Sequence, residues 1–267
     1  MCIEDLQNCK VGFIGCGSMG GALIRAMARQ IPAQNIIISA AHPEHAQELA
    51  AATGCKAARY NSEVAKEADY LFIAVKPAVF GEVVNGLSFK RDAVVISMAA
   101  GIPLYKLRNF NRSVVRIMPN MPAAVGQAMT AMCHESVSTD KIESVKTLLE
   151  TAGKVEIVPE KLMDCVTAVS GSGPAYAFMF IEALADAAVQ FGMPRKQAYI
   201  YAAQTVKGAA AMVLEDGRCP GELKDAVCSP AGTTIEGVAA LEQYGLRNAA
   251  MKAVAAAYHK SAAMGEE

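Results

Sequence analysis

Between Val11 and Gly20 the chain reads VGFIGCGSMG, and this stretch restricts the possible folds more than any other. Val11, Phe13 and Ile14 make a short buried strand that runs directly into Gly15-Cys16-Gly17-Ser18-Met19-Gly20, and an apolar-periodic helix follows without a break. Strand, glycines and helix stand in the order that a dinucleotide-binding βα unit requires. Gly15 permits the tight turn, Gly17 lets backbone approach a pyrophosphate, and Gly20 lets the helix pack closely. Ser18 and Met19 fall in the first helical turn, where unpaired N–H groups face an anion. A glycine turn without a ligand is the competing reading and fits this context less well.

The pattern continues through the N-terminal half. Strands are predicted at 35–39, 70–75, 93–97, 114–118 and 155–158, and helices at 18–30, 43–53, 62–68, 103–109 and 139–152. Strands that are apolar throughout are buried on both faces, which predicts an α/β domain with a mostly parallel sheet. The second strand ends in Ser39-Ala40-Ala41-His42, with no acidic residue to hold a ribose diol or to repel a 2′-phosphate. NADP is therefore favoured over NAD. No arginine stands nearby; His42 and His45 are candidates for the phosphate, with solvated histidines at a helix start as the blander reading. Ala74-Val75-Lys76-Pro77 and Met98-Ala99-Ala100-Gly101 fall at carboxyl ends of strands, where open parallel sheets bind ligands. Lys76 is the one charged side chain in these two tips, as suited to a surface as to a cofactor.

After 158–160 the strand signals stop. Helices are predicted at 174–191, 194–214, 221–227, 233–244 and 246–264, so the expected units are a dinucleotide-binding domain over 1–159 and an all-α domain over 160–267. The helix at 174–191 has only Glu182, Asp186 and Gln190 on a polar stripe and must be covered on most sides. Alanine-rich helices approach closely but bury little apolar area each, so association with a second copy is expected. Two loops, SGSGPAY at 170–176 and CSPAGTT at 228–234, place small donors at helix N-termini. Such loops suit a carboxylate as well as they suit ordinary capping.

Composition narrows the partners. The 267 residues carry Lys+Arg 25 against Asp+Glu 26, a formal charge of -1, which argues against nucleic acid or a membrane surface. Eight cysteines are scattered without a C-x-x-C pair or a Cys/His cluster, so neither a metal site nor a disulfide framework is expected. MCIEDLQNCK lacks the basic and apolar regions of a signal peptide, and the apolar run at 171–181 is too short for a bilayer. A cytoplasmic protein with a small-molecule ligand is the expectation.

FIGCGSMG, AVKP at 74–77, RIMPNMP at 116–122, SGSGPAY at 170–176 and, above all, LKDAVCSPAGTTIEG at 223–237 resemble the pyrroline-5-carboxylate reductase family nearly end to end. The resemblance implies a Rossmann-type N-terminal domain and a helical C-terminal dimerisation domain, in homodimers and in decamers of five dimers. It implies reduction of 1-pyrroline-5-carboxylate to L-proline, the last step of proline biosynthesis, with NADPH or, less preferred, NADH. By the same resemblance Ser39 and Asn61 contact the adenosine ribose, and Val75, Lys76, Pro77 and Ala99 lie toward the nicotinamide. Thr234 bonds the substrate nitrogen, Ser229, Gly232 and Thr233 form the carboxylate-binding turn, and Glu160 lines the substrate pocket. Two positions depart from the pattern. Ala226 stands where some members have an Asn bridging cofactor and substrate, and Ala231 replaces a common Gly, keeping the turn only if its φ is negative.

None of these motifs contains a histidine. A dehydrogenase acting on an alcohol needs a positioned base, whereas a cyclic imine can arrive as an iminium, ready to accept hydride. Two alternatives stay open from the residues. A β-hydroxyacid-type dehydrogenase would need a catalytic lysine, for which Lys207, Lys224 and Lys252 are candidates by type alone. A non-catalytic NADP-binding regulator would not need the intact 229–234 loop.

Overall fold

Apolar β-branched runs become strands buried along their whole length. In the computed structural model, which describes residues 3–266, these are β1 (Val11–Ile14), β2 (Ile36–Ser39), β4 (Tyr70–Ile73), β5 (Val94–Ser97) and β6 (Val114–Met118). A short β3 (Lys56–Ala57), β7 (Ala128–Glu135) and β8 (Gly153–Ile157) complete one sheet of order β3-β2-β1-β4-β5-β6-β7-β8. Every pairing is parallel except β6 with β7. The chain order reverses between β1 and β4, and there the two connections leave in opposite directions and open a crevice. Register aligns the strand ends: Ile14 lies beside both Ser39 and Ile73, Ile73 beside Ser97, and Ser97 beside Arg116. The five loops that follow these strands therefore emerge along one edge.

Helices α1 (Ser18–Met27), α2 (Pro43–Thr53), α3 (Asn61–Glu67), α4 (Pro77–Val84), α5 (Leu104–Leu107), α6 (Thr139–Glu150) and α7 (Met163–Val166) belong to the same unit. Leu23, Ile24 and Met27 of α1, Leu49 of α2 and Leu148 of α6 share one core with Phe13 and Phe72, whose rings stack at 4.6 Å. Val64 of α3, Phe80 of α4 and Leu104 of α5 share the other with Ile14, Leu71 and Ile73. Each fully buried side chain of this size contributes about 1.5–3 kcal/mol, so both sheet faces must be covered for the strands to persist.

The expected mostly parallel sheet with an all-α C-terminal half is what forms, with β3, β7, α4 and α7 added to the expected elements. β7 was not anticipated, because AMTAMCHE consists largely of helix-forming residues. Pairing with β6 on one side and β8 on the other overrides that preference. Helix α4 was also missed: Lys76-Pro77 starts it, although Gly81 interrupts its apolar pattern.

The compact units are Met1–Ser172 with Ala256–Glu267, and Gly173–Ala255. The second contains α8 (Gly173–Gln190), α9 (Arg195–Asp216), α10 (Pro220–Val227), α11 (Thr233–Gln243) and the first half of α12 (Leu246–Glu266). Its core is small. Ala185, Ala198 and Ala202 pack with Ile181, Val189 and Met193, while Phe178, Met179 and Phe191 stay 62%, 70% and 90% exposed. Covering that α8 lacks within one chain is left for another surface to supply. Among the described residues no helix is long and apolar enough to cross a membrane. Cys2 lies outside the described residues; the other seven cysteines are free.

One buried charge ties the first unit together. Arg116 on β6 is 4% exposed, with Nη1 3.4 Å from Glu160 Oε1 and Nη2 3.9 Å from Asp164 Oδ1. Leu104 N–H donates to the same Glu160 oxygen at 2.7 Å, and the Ser261 hydroxyl donates to Asp164 at 2.7 Å. Beside the guanidinium, burial, with the Glu160 charge adding to it, pushes the Cys133 thiol up to about 12. Arg116→Met keeps the length but leaves two carboxylates without their cation. As these are each about one-third exposed, we expect a loss of about 2–3 kcal/mol, below the range for fully buried pairs. Urea unfolding measures it, and an unchanged midpoint would show that the cluster contributes nothing net.

Candidate functional site

The glycine loop after β1 has three glycines with three different requirements. Gly15 has φ +104°, and a Cβ there would lie 2.5 Å from the Ala74 carbonyl oxygen. At Gly20 a Cβ would meet the Gly15 oxygen at 2.4 Å, which is the close helix-to-strand contact expected from the motif. Gly17 differs: a Cβ would find nothing within 4 Å. No protein atom explains why Gly17 lacks a side chain, so its bareness fits backbone approach by a ligand. It is also the N-cap of α1, without a side-chain cap bond, and the exposed Ser18 and half-buried Met19 follow it. An unblocked helix N-terminus at this edge fits a dinucleotide pyrophosphate.

On the β2 side, Ser39 is 1% exposed and its hydroxyl donates to Asn61 Oδ1 at 2.8 Å. That commits the serine proton and occupies Asn61 Oδ1, so the Asn61 amide has only N–H donors left to offer. His42 and His45 are exposed, with rings 5.5 Å apart, and His42 lies 3.8 Å from Glu44. The Cys16 thiol donates to the Ser39 carbonyl at 3.3 Å, and burial pushes it up to about 11, so it stays a neutral thiol.

On the other side of β1, the Ala74 N–H donates to Ile14 O at 2.8 Å, which holds Val75, Lys76 and Pro77 beside the glycine loop. Lys76 is exposed at the N-cap of α4, and Pro77 occupies the first turn. Ala99 is 1% exposed, its N–H held by the Ser97 hydroxyl at 3.2 Å. A cavity of about 760 Å³ opens here, lined by Lys76, Pro77, Phe80, Lys106, Phe110 and Met264 among others. Lys106 and Phe110 were not expected at a site; they belong to no motif and reach the cavity only through folding.

Glu160 uses Oε1 for the Leu104 N–H and for Arg116, as described above. In the second unit, the 229–234 turn joins α10 to α11. Gly232 is the N-cap of α11, its N–H donates to Ser229 O at 3.1 Å, and a Cβ on it would lie 2.2 Å from Ser229 Oγ. A side chain there would force the Ser229 hydroxyl to rotate away. Ser229 and Thr233 are exposed and Thr234 is half-buried. The first-turn N–H groups of α11 have no intrahelical acceptor. Ala231 has φ +54°, contrary to the expectation that the turn needs a negative φ with alanine present. The turn is kept at a cost of about 1–2 kcal/mol, because Cβ crowds the carbonyl in the left-handed region. Of the candidate lysines, Lys207 and Lys252 are exposed and Lys224 pairs with Asp225. Among the described residues no group of His, Cys, Asp and Glu could hold a metal ion.

Residues 160–264 match the model of pyrroline-5-carboxylate reductase dimerisation, and residues 10–101 that of the NADP oxidoreductase, coenzyme F420-dependent. The chain is 44% identical to pyrroline-5-carboxylate reductase of Escherichia coli (strain K12), over 94% of this chain and 97% of that protein. The chain belongs to the pyrroline-5-carboxylate reductase family. The Methanosarcina acetivorans pyrroline-5-carboxylate reductase is 41% identical over 98% of this chain and 100% of its own length. Among solved structures, Plasmodium falciparum pyrroline carboxylate reductase with NADP bound superposes with a TM-score of 0.89 at 33% identity, covering 97% of this chain and 99% of the other. As a pyrroline-5-carboxylate reductase family member, this chain is an oxidoreductase acting on a C=N bond, built on an NADP-binding fold.

The glycines separate a structural from a ligand effect. Gly17→Ala adds a methyl in open space and leaves the melting temperature within about a degree, yet raises KM for the dinucleotide about 10-fold or more. Gly20→Ala collides with backbone, so it lowers the melting temperature first. Unaltered dinucleotide binding in Gly17→Ala would remove the loop from the cofactor site.

Proposed function

We propose that NADPH lies along the carboxyl edge of the sheet, and that the 229–234 turn holds the substrate carboxylate. The reaction is the family's: hydride transfer from NAD(P)H to 1-pyrroline-5-carboxylate, giving L-proline. The observation that carries the assignment of the cofactor edge is the space beside Gly17, which no protein atom fills although the adjoining glycines are sterically demanded. The pyrophosphate sits on the α1 N-terminus at Gly15, Gly17, Ser18, Met19 and Gly20. Asn61, held by Ser39, donates toward the adenosine ribose and its 2′-phosphate, and the absence of an acid there favours NADPH over NADH. Val75, Lys76, Pro77 and Ala99 flank the nicotinamide.

The cofactor supplies the hydride; the chain's own residues orient and desolvate the acceptor. Ser229, Gly232 and Thr233 offer hydroxyl and N–H donors at a helix N-terminus, a suitable seat for a carboxylate. The Thr234 hydroxyl accepts from the iminium N–H. Because that nitrogen already carries its proton, hydride addition to the adjacent carbon completes a secondary amine without an enzymic acid. Glu160 has Oε2 left for the pocket wall, Oε1 being taken by Leu104 and Arg116. The exposed Phe178, Met179 and Phe191 support a homodimer through the helical unit, with five dimers as the larger assembly. Free cysteines suit the cytoplasm as the place of action.

Oxidation of NADPH by the purified protein with 1-pyrroline-5-carboxylate tests the reading, and a kcat/KM that favours NADH would overturn the cofactor preference. Sedimentation showing an active monomer at micromolar concentration would overturn the dimer. For Thr234→Ala we expect kcat/KM to fall about 10- to 150-fold with NADPH affinity nearly unchanged, as for a lost bond to a charged group. Thr234→Ser, which keeps the hydroxyl, loses less. Normal turnover with a lower melting temperature would reduce Thr234 to a helix-start residue.

A further inference from the structure

RIMPNMP at 116–122 contributes Arg116 to the buried cluster, but the proposed chemistry leaves Asn120 without a role. This residue is 8% exposed and stands at the N-cap of the 3-10 turn Met121–Val125, yet its side chain makes no capping bond. It is used elsewhere. Its Oδ1 accepts from Met129 N–H at 3.0 Å, and its Nδ2 lies 3.2 Å from both the carbonyl oxygen and the hydroxyl of Ser170. An N–H needs an acceptor at one end and a carbonyl needs a donor at the other, so the amide can point only this way. The Ser170 hydroxyl in turn reaches Met129 O at 3.5 Å.

Ser170 lies within Thr167–Gly171, a π-helix closed by Ser172 N–H on Thr167 O at 2.9 Å. A turn of this width is rare and persists where side chains hold it, frequently at functional sites. Its position follows from strand order. The proposed dinucleotide path passes the tips of β2, β1, β4 and β5 in turn, and the next tip in the sheet is that of β6, which ends at Met118. Ser97 pairs with Arg116 on neighbouring parallel strands about 5 Å apart, and continuing that register puts Ala99 level with Met118 and Asn120 two residues farther along the β6 tip. Whatever accepts hydride beyond the nicotinamide therefore borders the β6 tip and the π-helix packed on it, where Gly171 lies against Met118.

We infer that Asn120 is a positioning residue for hydride transfer, holding the Ser170 backbone in its π-helical form beside the acceptor without touching cofactor or substrate. This rests on the imine-reductase reading above. The test is a double-mutant cycle of Asn120→Asp and Ser170→Ala, with kcat/KM for 1-pyrroline-5-carboxylate, NADPH dissociation constant and melting temperature measured on each. Asn120→Asp keeps the acceptor for Met129 but sets a carboxylate oxygen against the Ser170 carbonyl. Its kcat/KM falls about 10- to 100-fold, the scale of a small displacement at a reacting centre, while NADPH affinity stays within about twofold. Ser170→Ala, which keeps the backbone contact, loses about 2- to 10-fold. The double variant is no worse than Asn120→Asp alone, because both act through one contact.

Normal kcat/KM with only a lower melting temperature would overturn the inference, as would losses that simply add, or a parallel loss of NADPH affinity. Should Asn120→Asp fail to fold, unchanged turnover in Ser170→Ala overturns it by itself. Absence of imine reduction by the unsubstituted protein would remove the reaction reading, and this inference with it, and that control separates the two failures.

Discussion

The first unit depends on a buried guanidinium that its neighbours only partly satisfy. Arg116 sits within an otherwise apolar strand, and its Nε has no hydrogen-bond partner among the described residues. Two carboxylates from a later segment, Glu160 and Asp164, offset its charge, and through them the α5 start and Ser261 of α12 are drawn to the same point. Desolvating an arginine in this way adds little net stability, but the pairing geometry admits few alternative packings. Segments distant in sequence are thus fixed at β6, beside the edge proposed to hold the cofactor. The cavity next to Lys76 has Met264 in its wall for that reason: the end of α12 belongs to this unit and packs on Gly101.

The chemistry asks little of the side chains and much of the backbone. Gly15 and Gly20 are each required because a backbone oxygen occupies the space of a Cβ, and at Gly232 a Cβ would displace the Ser229 hydroxyl. Ser39 and Ser97 serve as internal props, one on Asn61 and the other on Ala99. An iminium needs no strong acid or base, and orientation with unpaired N–H donors is the larger part of what an imine reductase must supply. A left-handed alanine at 231 is then tolerable: it strains a turn whose proposed role rests on the donors on either side.

The helical unit shows the opposite economy. Alanine at 185, 198 and 202 lets α8 and α9 approach closely, but a core of this size leaves the aromatic and aliphatic side chains of α8 in water. An isolated unit of this kind is weakly stabilised, whereas one that docks its apolar face on a second copy gains area without adding residues. Catalysis and assembly would then share the same helices.

The dinucleotide loop, the parallel sheet and the helical half were legible in the sequence because each depends on local rules: a glycine where φ is positive, a continuous apolar run where both faces are covered, a proline or small polar residue where a helix starts. The family resemblance supplied Asn61 and the roles of the 229–234 turn, which no periodicity carries. The eight residues of β7 were not legible, since alanine and methionine prefer helix and only pairing on both edges makes them a strand. Nor were the sign of φ at Ala231, the Ser39–Asn61 bond or the Asn120–Ser170 contact. The last two join residues 22 and 50 positions apart, and such bonds exist only once the sheet has set its strand order. The sequence by itself determined which segments become strands, glycine turns and helix starts, because those choices are made within a few residues. Tertiary structure alone decided which polar groups meet, because a buried donor takes its partner from whatever the packed sheet brings within reach.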